Sequence, residues 1–341
     1  MSKNTKIILI ILFIGILYRL ALTANGNFFF NMDNGRDMVD IREMVVLGKL
    51  RLTGPTSAIE GFYNGPFWYY LLAIPFIFSG GDPYASIVME IILWAIGGFF
   101  LLKLVSRWSN WVALPIGILW AVSDYIVLAN RYAFNPNSVT LLTPLLIYLL
   151  VKYLENNKAI YVVFTWFLAG LFFNFEMNFG VFTPLIILAS AIFTDNIKLL
   201  KQKWFWVGFA IFIFTLLPQV LFDFRNNFLM SKAILKYLSQ NPSANLNIST
   251  RFQTISQSFF NTFSATLFNQ KILTLILIVI ATLALFKKPK KDYAVLVSLM
   301  IIFIPFLGYL ILPVTVNPWH LGAESAAVIV FIAYLLKNRI L

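Results

Sequence analysis

Long apolar runs separated by short polar connections recur over the whole chain. A run of about 20 apolar residues is long enough to cross the hydrocarbon core of a bilayer as a helix. By this criterion, about ten segments are predicted to span a membrane: 7–23, 84–102, 110–129, 137–151, 159–173, 181–194, 204–222, 272–285, 294–314 and 323–336. The first resembles a signal peptide but is followed by no convincing cleavage site, so it is interpreted as a retained span. The pattern predicts an all-α integral membrane protein in which residues 1–341 form a single transmembrane domain.

One apolar run, residues 66–79, is too short for this pattern. It has 14 residues, begins at Pro66 and is interrupted by Pro75. Such a length is more typical of an interfacial or re-entrant helix than of a full span. We therefore expect this segment to lie at the membrane surface. Tyr69 and Tyr70 would then either donate hydrogen bonds to an anionic headgroup or belong to an aromatic belt.

A second surface helix is predicted soon after the first span. From Asp33 onward, apolar residues recur with helical spacing on one face, and Asp33, Asp37 and Asp40 share another face. The stripe stops at Gly48, and glycine commonly ends helices. Asp33 could be an N-cap, and the other two carboxylates could form a solvated face. Three carboxylates beside Arg36 exceed what a cap needs, so we expect at least one of them to be functional.

Composition supports a membrane protein and excludes several kinds of site. Hydrophobic residues make up 60% of the 341 residues, charged residues make up 12%, and the mean hydropathy is +0.81. The absence of cysteine excludes disulfides, thiolate nucleophiles and cysteine-ligated metals. Because His320 is the only histidine, a metal site with several histidines cannot form within one chain.

The distribution of positive charge predicts the orientation in the membrane. With residues 66–79 at the surface and the N-terminus inside, the inner segments are 1–6, 103–109, 152–158, 195–203, 286–293 and 337–341. They hold fifteen of the 26 Lys and Arg residues, whereas the much longer outer segments hold ten. Cytoplasmic loops show this excess. We therefore expect a multi-pass plasma-membrane protein with both termini cytoplasmic and two large outer loops, 24–83 and 223–271. The net charge of +12 is then mostly a topology signal and indicates no nucleic-acid partner.

Four groups of polar and turn residues lie on the predicted outer side. They are Asp33, Arg36, Asp37, Arg42, Glu43, Met44 and Gly48; Gly65, Pro66, Tyr69 and Tyr70; Arg131, Tyr132, Asn135, Pro136 and Asn137; and Pro218 followed by Asp223, Phe224, Arg225, Asn226 and Asn227. In their order and common side they resemble the GT-C class of integral membrane glycosyltransferases. The resemblance is strongest to bacterial and archaeal relatives of protein O-mannosyltransferases and of lipid A aminoarabinose transferase. It covers roughly residues 1–230.

The resemblance implies an inverting glycosyltransferase that takes its sugar from a polyprenyl-phosphate-linked donor in the bilayer. Asp33 matches the family aspartate and would be the base that takes the acceptor proton, with Asp37 as the alternative. Arginine is suited to phosphate because its guanidinium presents a fork of donors. The candidate ligands of the donor phosphate are Arg131, Arg225, Tyr70 and His320, and further site candidates are Arg36, Asp40, Asn135 and Glu176. The sugar, the acceptor and a divalent metal near the two aspartates are left open.

A transporter or flippase of lipid-linked glycans is the alternative function. Such a protein is expected to place polar residues through the depth of the bundle and often to show repeated halves. Here the polar clusters lie mainly at one face, which favours an enzyme. A single outer cavity containing Asp33, Arg131 and Arg225 would support sugar transfer.

Overall fold

A computed structural model describes residues 3–240, 247–286 and 292–338, which form sixteen α-helices. They are α1 (Lys3–Thr23), α2 (Met32–Val46), α3 (Phe67–Ser79), α4 (Tyr84–Val105), α5 (Asn110–Val122), α6 (Asp124–Ala129), α7 (Asn135–Asn156), α8 (Ala159–Phe175), α9 (Met177–Gly180), α10 (Thr183–Phe193), α11 (Lys203–Arg225), α12 (Leu229–Gln240), α13 (Ile248–Thr266), α14 (Lys271–Phe286), α15 (Tyr293–Ile311) and α16 (Gly322–Lys337). Short 3-10 helices lie at Ala24–Gly26, Ile197–Lys201 and Pro318–Leu321. The all-α prediction is confirmed.

Each predicted span coincides with a helix or a pair of helices. Of the described helices, six are long and apolar enough to cross a membrane, namely α1, α4, α7, α11, α15 and α16. A seventh crossing could combine α13 and α14, which meet at a bend of 113°. Other apolar helices, such as α5 and α8, are shorter. The chain is therefore an integral membrane protein, and the number of ten spans stays a prediction.

The predicted span 110–129 is broken at Ser123, where ψ is 128° between α5 and α6. A break in a helix leaves the preceding carbonyl groups without their usual donors. The buried guanidinium of Arg19 donates to two of them, the oxygens of Trp120 and Ala121, at 3.3 and 2.9 Å. The prediction of one continuous span missed this break, although the polar residues Ser123 and Asp124 stand at it.

The bundle is built around α7, which packs against α4, α8, α15 and α16. Glycines allow two of these close approaches. A Cβ added at Gly97 would lie 1.8 Å from the carbonyl oxygen of Leu141, and one added at Gly322 would lie 1.8 Å from Oγ1 of Thr140. This packing places the start of α7, at Asn135, beside the ends of the neighbouring helices.

The connection 24–83 leaves the bundle and returns to it at the same end. The hydroxyl oxygens of Thr23, at the end of α1, and Tyr84, at the start of α4, lie 2.9 Å apart. Both α2 and α3 therefore belong to a connection that does not change sides. At the opposite end, Arg107 and Lys152 form ion pairs with Glu155. Residues 287–291 of the predicted inner segment 286–293 and the last three residues of segment 337–341 lie outside the described ranges.

Candidate active site

A polar cavity of about 520 Å³ lies at the end of the bundle that carries α2 and α3. Five residues predicted from the sequence line it: Asp33, Arg36, Asn135, Glu176 and His320. Other polar side chains complete the wall, namely Thr56, Ser57, Asn64, Asn178, Tyr237, Asn317 and Trp319. Residues from six separate parts of the sequence thus meet in one concave site, which is the usual form of a ligand-binding pocket.

The start of α2 presents Asp33 to this cavity. Asn31 caps the helix, because its side-chain oxygen accepts from the backbone N–H groups of Asp33 and Asn34 at 2.9 and 3.3 Å. Asn34 also donates to the carbonyl oxygen of Ala133 at 2.7 Å, which fixes the helix beside the segment before α7. The N-cap of α2 is therefore Asn31 and not Asp33. The Asp33 carboxylate is not used as a cap and lies in the cavity wall.

Arg36 links Asp33 to its neighbours. One terminal nitrogen, Nη1, lies 3.0 Å from Asp33 and 2.6 Å from the hydroxyl of Thr56. The other, Nη2, lies 2.9 Å from Asp37. Asp33 is 48% exposed and Asp37 only 7%. The arginine therefore holds an exposed carboxylate and a buried one in fixed positions.

Asp37 lies on the buried face of α2, together with Ile41 and Met44. The indole nitrogen of Trp68 donates to it at 3.1 Å, and the Tyr69 hydroxyl lies 3.2 Å away. Burial raises the pKa of Asp37 to about 6, although the Arg36 charge and the hydrogen bonds favour the ionised form. The alternative in which Asp37 belongs to a solvated face is therefore wrong, because α3 packs its donors against this face.

Asp40 and Tyr70 join α2 to the chain that follows rather than lining the cavity. Asp40 accepts from Arg51 at 2.7 Å and lies 2.9 Å from the Tyr69 hydroxyl. The Tyr70 hydroxyl donates to the backbone oxygen of Arg51 at 3.0 Å. These contacts give both residues a structural position at the edge of the site.

Glu176 and His320 form another part of the cavity wall. Glu176 caps α9 by accepting from the Asn178 backbone N–H at 3.0 Å. The Asn178 side-chain amide lies 3.1 Å from Nε2 of His320, and Nδ1 of His320 accepts from the Asn317 backbone N–H at 3.2 Å. An accepting Nδ1 carries no proton, so the imidazole is neutral. Asn135 donates to the carbonyl oxygen of Phe175 and ties α7 to this wall.

The two arginines predicted to bind phosphate do not line the cavity. Nη2 of Arg131 donates to the side chain of Asn27 at 2.7 Å, and its guanidinium lies 5.2 Å from the ring centre of Phe29. Arg225 is exposed at the end of α11. The structure therefore does not bring Asp33, Arg131 and Arg225 together in one cavity.

Sequence reasoning missed several residues of the cavity wall. Asn178 lies two positions after Glu176, and the alternation of polar residues at 174, 176 and 178 in an apolar region was a usable signal. Thr56 and Tyr237 gave no such signal. Thr56 lies between α2 and α3 and Tyr237 lies on α12, and only the tertiary structure brings them to the cavity. Among the residues that the structure describes, no group of three or more His, Asp or Glu side chains could hold a metal ion.

Comparisons with known proteins support the resemblance. Residues 64–222 match the model of the dolichyl-phosphate-mannose-protein mannosyltransferase family, a segment that includes Asn135 and Glu176 but not Asp33 or His320. The fold is similar to that of ArnT from Cupriavidus metallidurans, solved bound to undecaprenyl phosphate, with a TM-score of 0.68 and 13% sequence identity. That similarity covers 98% of this chain but only 59% of the ArnT chain. No curated protein sequence matches the chain.

The family match and the shared fold point to the same class from different evidence. The family model matches sequence over α3 to α11. The likeness to ArnT extends over nearly the whole chain at an identity that shows fold alone. Together they confirm that this chain resembles the GT-C class of integral membrane glycosyltransferases and has a GT-C-like fold.

Proposed function

We propose that this chain is a glycosyltransferase that moves a sugar from a polyprenyl-phosphate-linked donor to an acceptor at the outer face of the plasma membrane. The observation that carries the proposal is the polar cavity at one end of a membrane bundle, with the partly exposed Asp33 in its wall. The comparisons support the donor class. The matched family is named for a dolichyl-phosphate-mannose donor, and the similar structure holds undecaprenyl phosphate.

In the proposed reaction, Asp33 is the general base. It takes the proton of an acceptor hydroxyl while the hydroxyl oxygen attacks the anomeric carbon of the donor sugar. The bond from that carbon to the phosphate oxygen breaks, and polyprenyl phosphate leaves with the electron pair. Attack opposite the leaving group inverts the anomeric configuration, as the resemblance implies. Arg36 keeps the carboxylate in place through its 3.0 Å contact.

Asp37 has a supporting position in this proposal rather than the role of alternative base. Its carboxylate is buried and already surrounded by Arg36, Trp68 and Tyr69. A base must come within hydrogen-bond reach of the proton that it removes. The exposed Asp33 can meet an acceptor hydroxyl in the cavity, whereas Asp37 holds Arg36 from the other side.

An apolar cavity of about 250 Å³ among α13, α14, α15 and α16 supports a lipid-linked donor. Phe259 lines this cavity, and its ring centre is 6.5 Å from that of Tyr309. The Tyr309 hydroxyl donates to the backbone oxygen of Asn178, which lines the polar cavity. Apolar and polar cavities therefore adjoin across one tyrosine. A donor could place part of its prenyl chain in the first and its sugar phosphate in the second.

The proposal is tested by incubating purified protein in nanodiscs with a panel of polyprenyl-phosphate sugars and candidate acceptors. Mass spectrometry should detect released polyprenyl phosphate and an acceptor that has gained one sugar. Intact donor with every panel member, together with movement of donor between leaflets, would instead support the transporter. Parallel reactions with EDTA and with added Mg²⁺ measure whether a divalent metal takes part.

A further inference from the structure

Within the described ranges, the charged side chains that line the polar cavity leave no unpaired cation to bind a phosphate group. Asp33 and Glu176 contribute two carboxylates to its wall. Arg36 is engaged by Asp33 and by the buried Asp37. The accepting Nδ1 of His320 makes that imidazole neutral. A leaving phosphate needs a cation beside it, and Arg131 and Arg225 lie outside this wall.

A cleft of about 380 Å³ continues from the cavity and supplies a lysine. Four residues line both spaces: Ala58, Ile59, Tyr237 and Thr315. Lys236 of α12 and Glu60 of the first large loop both line the cleft and are exposed. Among the ion pairs of the described residues, none includes Lys236. The side chain thus offers a free positive charge next to the polar cavity.

Three contacts hold α12 in this position. Asp223 at the end of α11 accepts from the backbone N–H of Met230, at 2.6 Å, and from the hydroxyl of Ser231, also at 2.6 Å. This fixes the corner between the two helices. The Tyr237 hydroxyl accepts from the Thr315 backbone N–H at 3.3 Å. A Cβ added at Gly61 would lie 3.3 Å from Cβ of Ala233, so the first large loop packs directly against α12.

We propose that Lys236 binds the phosphate group of the polyprenyl-phosphate donor, a role that rests on the function proposed above. Lysine is a common phosphate ligand and acts as a point charge. Held by Asp223, α12 places this charge beside the polar cavity, where the sugar phosphate of the donor would lie. Asp223 is then a positioning residue, which gives a purpose to the polar motif noted at the end of α11.

The test compares Lys236→Gln and Lys236→Arg with the matched control Lys232→Gln. Lys232 is exposed on the same helix one turn earlier and does not line the cleft. Binding of polyprenyl phosphate to purified protein is measured by native mass spectrometry, and the KM for the donor by product formation. We expect Lys236→Gln to weaken binding and to raise the KM by about 10- to 100-fold, because one charge-assisted hydrogen bond is lost. Lys236→Arg should retain most of the affinity, and Lys232→Gln should behave like the wild type.

Equal behaviour of Lys236→Gln and Lys232→Gln would overturn the inference. So would an effect of Lys236→Gln that occurs only in nanodiscs containing phosphatidylglycerol and not in phosphatidylcholine, because the lysine would then bind bilayer headgroups. Lys236-dependent binding of polyprenyl phosphate without transfer from any donor would support the phosphate site and refute the glycosyltransferase function. Absence of polyprenyl phosphate binding to the wild type would overturn the inference itself.

Discussion

Arg36 joins two aspartates of α2 that differ in exposure. The Asp33 carboxylate is 48% exposed in the cavity wall, and the Asp37 carboxylate is 7% exposed under α3. Exposed ion pairs contribute little to stability, whereas removing one partner of a buried pair is costly. The two residues should therefore respond differently to substitution: Asp33 through activity and Asp37 through stability and pH.

The pKa of Asp37 predicts a pH dependence of stability. Burial raises this pKa to about 6, above the value near 3.9 that an unfolded aspartate has. The folded state then binds the proton more tightly, so the contribution is fully present below about pH 4 and is lost as pH rises through about 6. Asp37→Asn cannot titrate and should remove this contribution.

Thermal unfolding of the wild type and of Asp37→Asn at pH 4.5 and pH 7.5 measures this effect. The wild type should gain stability relative to the variant at the lower pH, by an amount on the order of 2 kcal/mol. Other carboxylates titrate in both proteins and cancel in the comparison. An unchanged difference between wild type and variant at the two pH values would contradict the assigned pKa.

Residue types and spacing predicted part of the site. Asp33, Arg36 and Asn135 belong to the motifs that carry the family resemblance, Glu176 and His320 are polar residues on the predicted outer side, and all five line the cavity. Sequence could not show which polar side chains are already engaged elsewhere. Arg131 is held by Asn27 and Asp37 by the donors of α3, and both pairings depend on tertiary contacts.

Two elements show how far local patterns determine structure. The predicted surface helix from Asp33 to Gly48 is observed as α2, whose boundaries follow from its Asn31 cap and from the glycine beyond its end. The break between α5 and α6 was not predicted, because two polar residues do not by themselves end a span and the freed carbonyl groups are satisfied by Arg19 from another helix. Local signals thus locate helix ends better than they locate breaks within a buried span.

Alanine substitutions at one glycine of α2 and one glycine of α4 should change stability in opposite directions. A Cβ at Gly35 would meet nothing within 4 Å, and alanine is the better helix former by about 0.5–1 kcal/mol. Gly35→Ala should therefore raise the melting temperature. Gly97→Ala should lower it, because its Cβ would lie 1.8 Å from the Leu141 oxygen and push α4 away from α7. Equal melting temperatures for the two variants would contradict the packing of these helices.

For the whole molecule, the apolar pattern predicted the class of fold, and the likeness to ArnT confirms it over 98% of this chain. The number of spans was harder to predict because length and hydropathy do not separate short spans from broken or interfacial helices. The orientation stays a prediction from the Lys and Arg distribution. The structure adds that the connection 24–83 begins and ends on one side, through the Thr23–Tyr84 contact.

The absence of cysteine makes the orientation directly measurable. Glu60 is exposed in the cleft beside the cavity, and Asn156 is exposed at the far end of α7. In intact cells, a membrane-impermeant maleimide should label Glu60→Cys and should label Asn156→Cys only after the membrane is permeabilised. The reverse pattern would place the cavity on the cytoplasmic side.

The central claim is that Asp33 serves as the base for sugar transfer in the polar cavity. Its most direct test compares Asp33→Asn with Glu43→Gln, an acidic residue near the end of the same helix that lies outside the cavity wall. Loss of a general base typically lowers the rate 10²- to 10⁴-fold. Released polyprenyl phosphate, measured by mass spectrometry with the donor found in the panel, should fall by about that factor in Asp33→Asn and stay at the wild-type level in Glu43→Gln. Both proteins should unfold at the same temperature as the wild type. Full transfer activity in a folded Asp33→Asn protein would contradict the account.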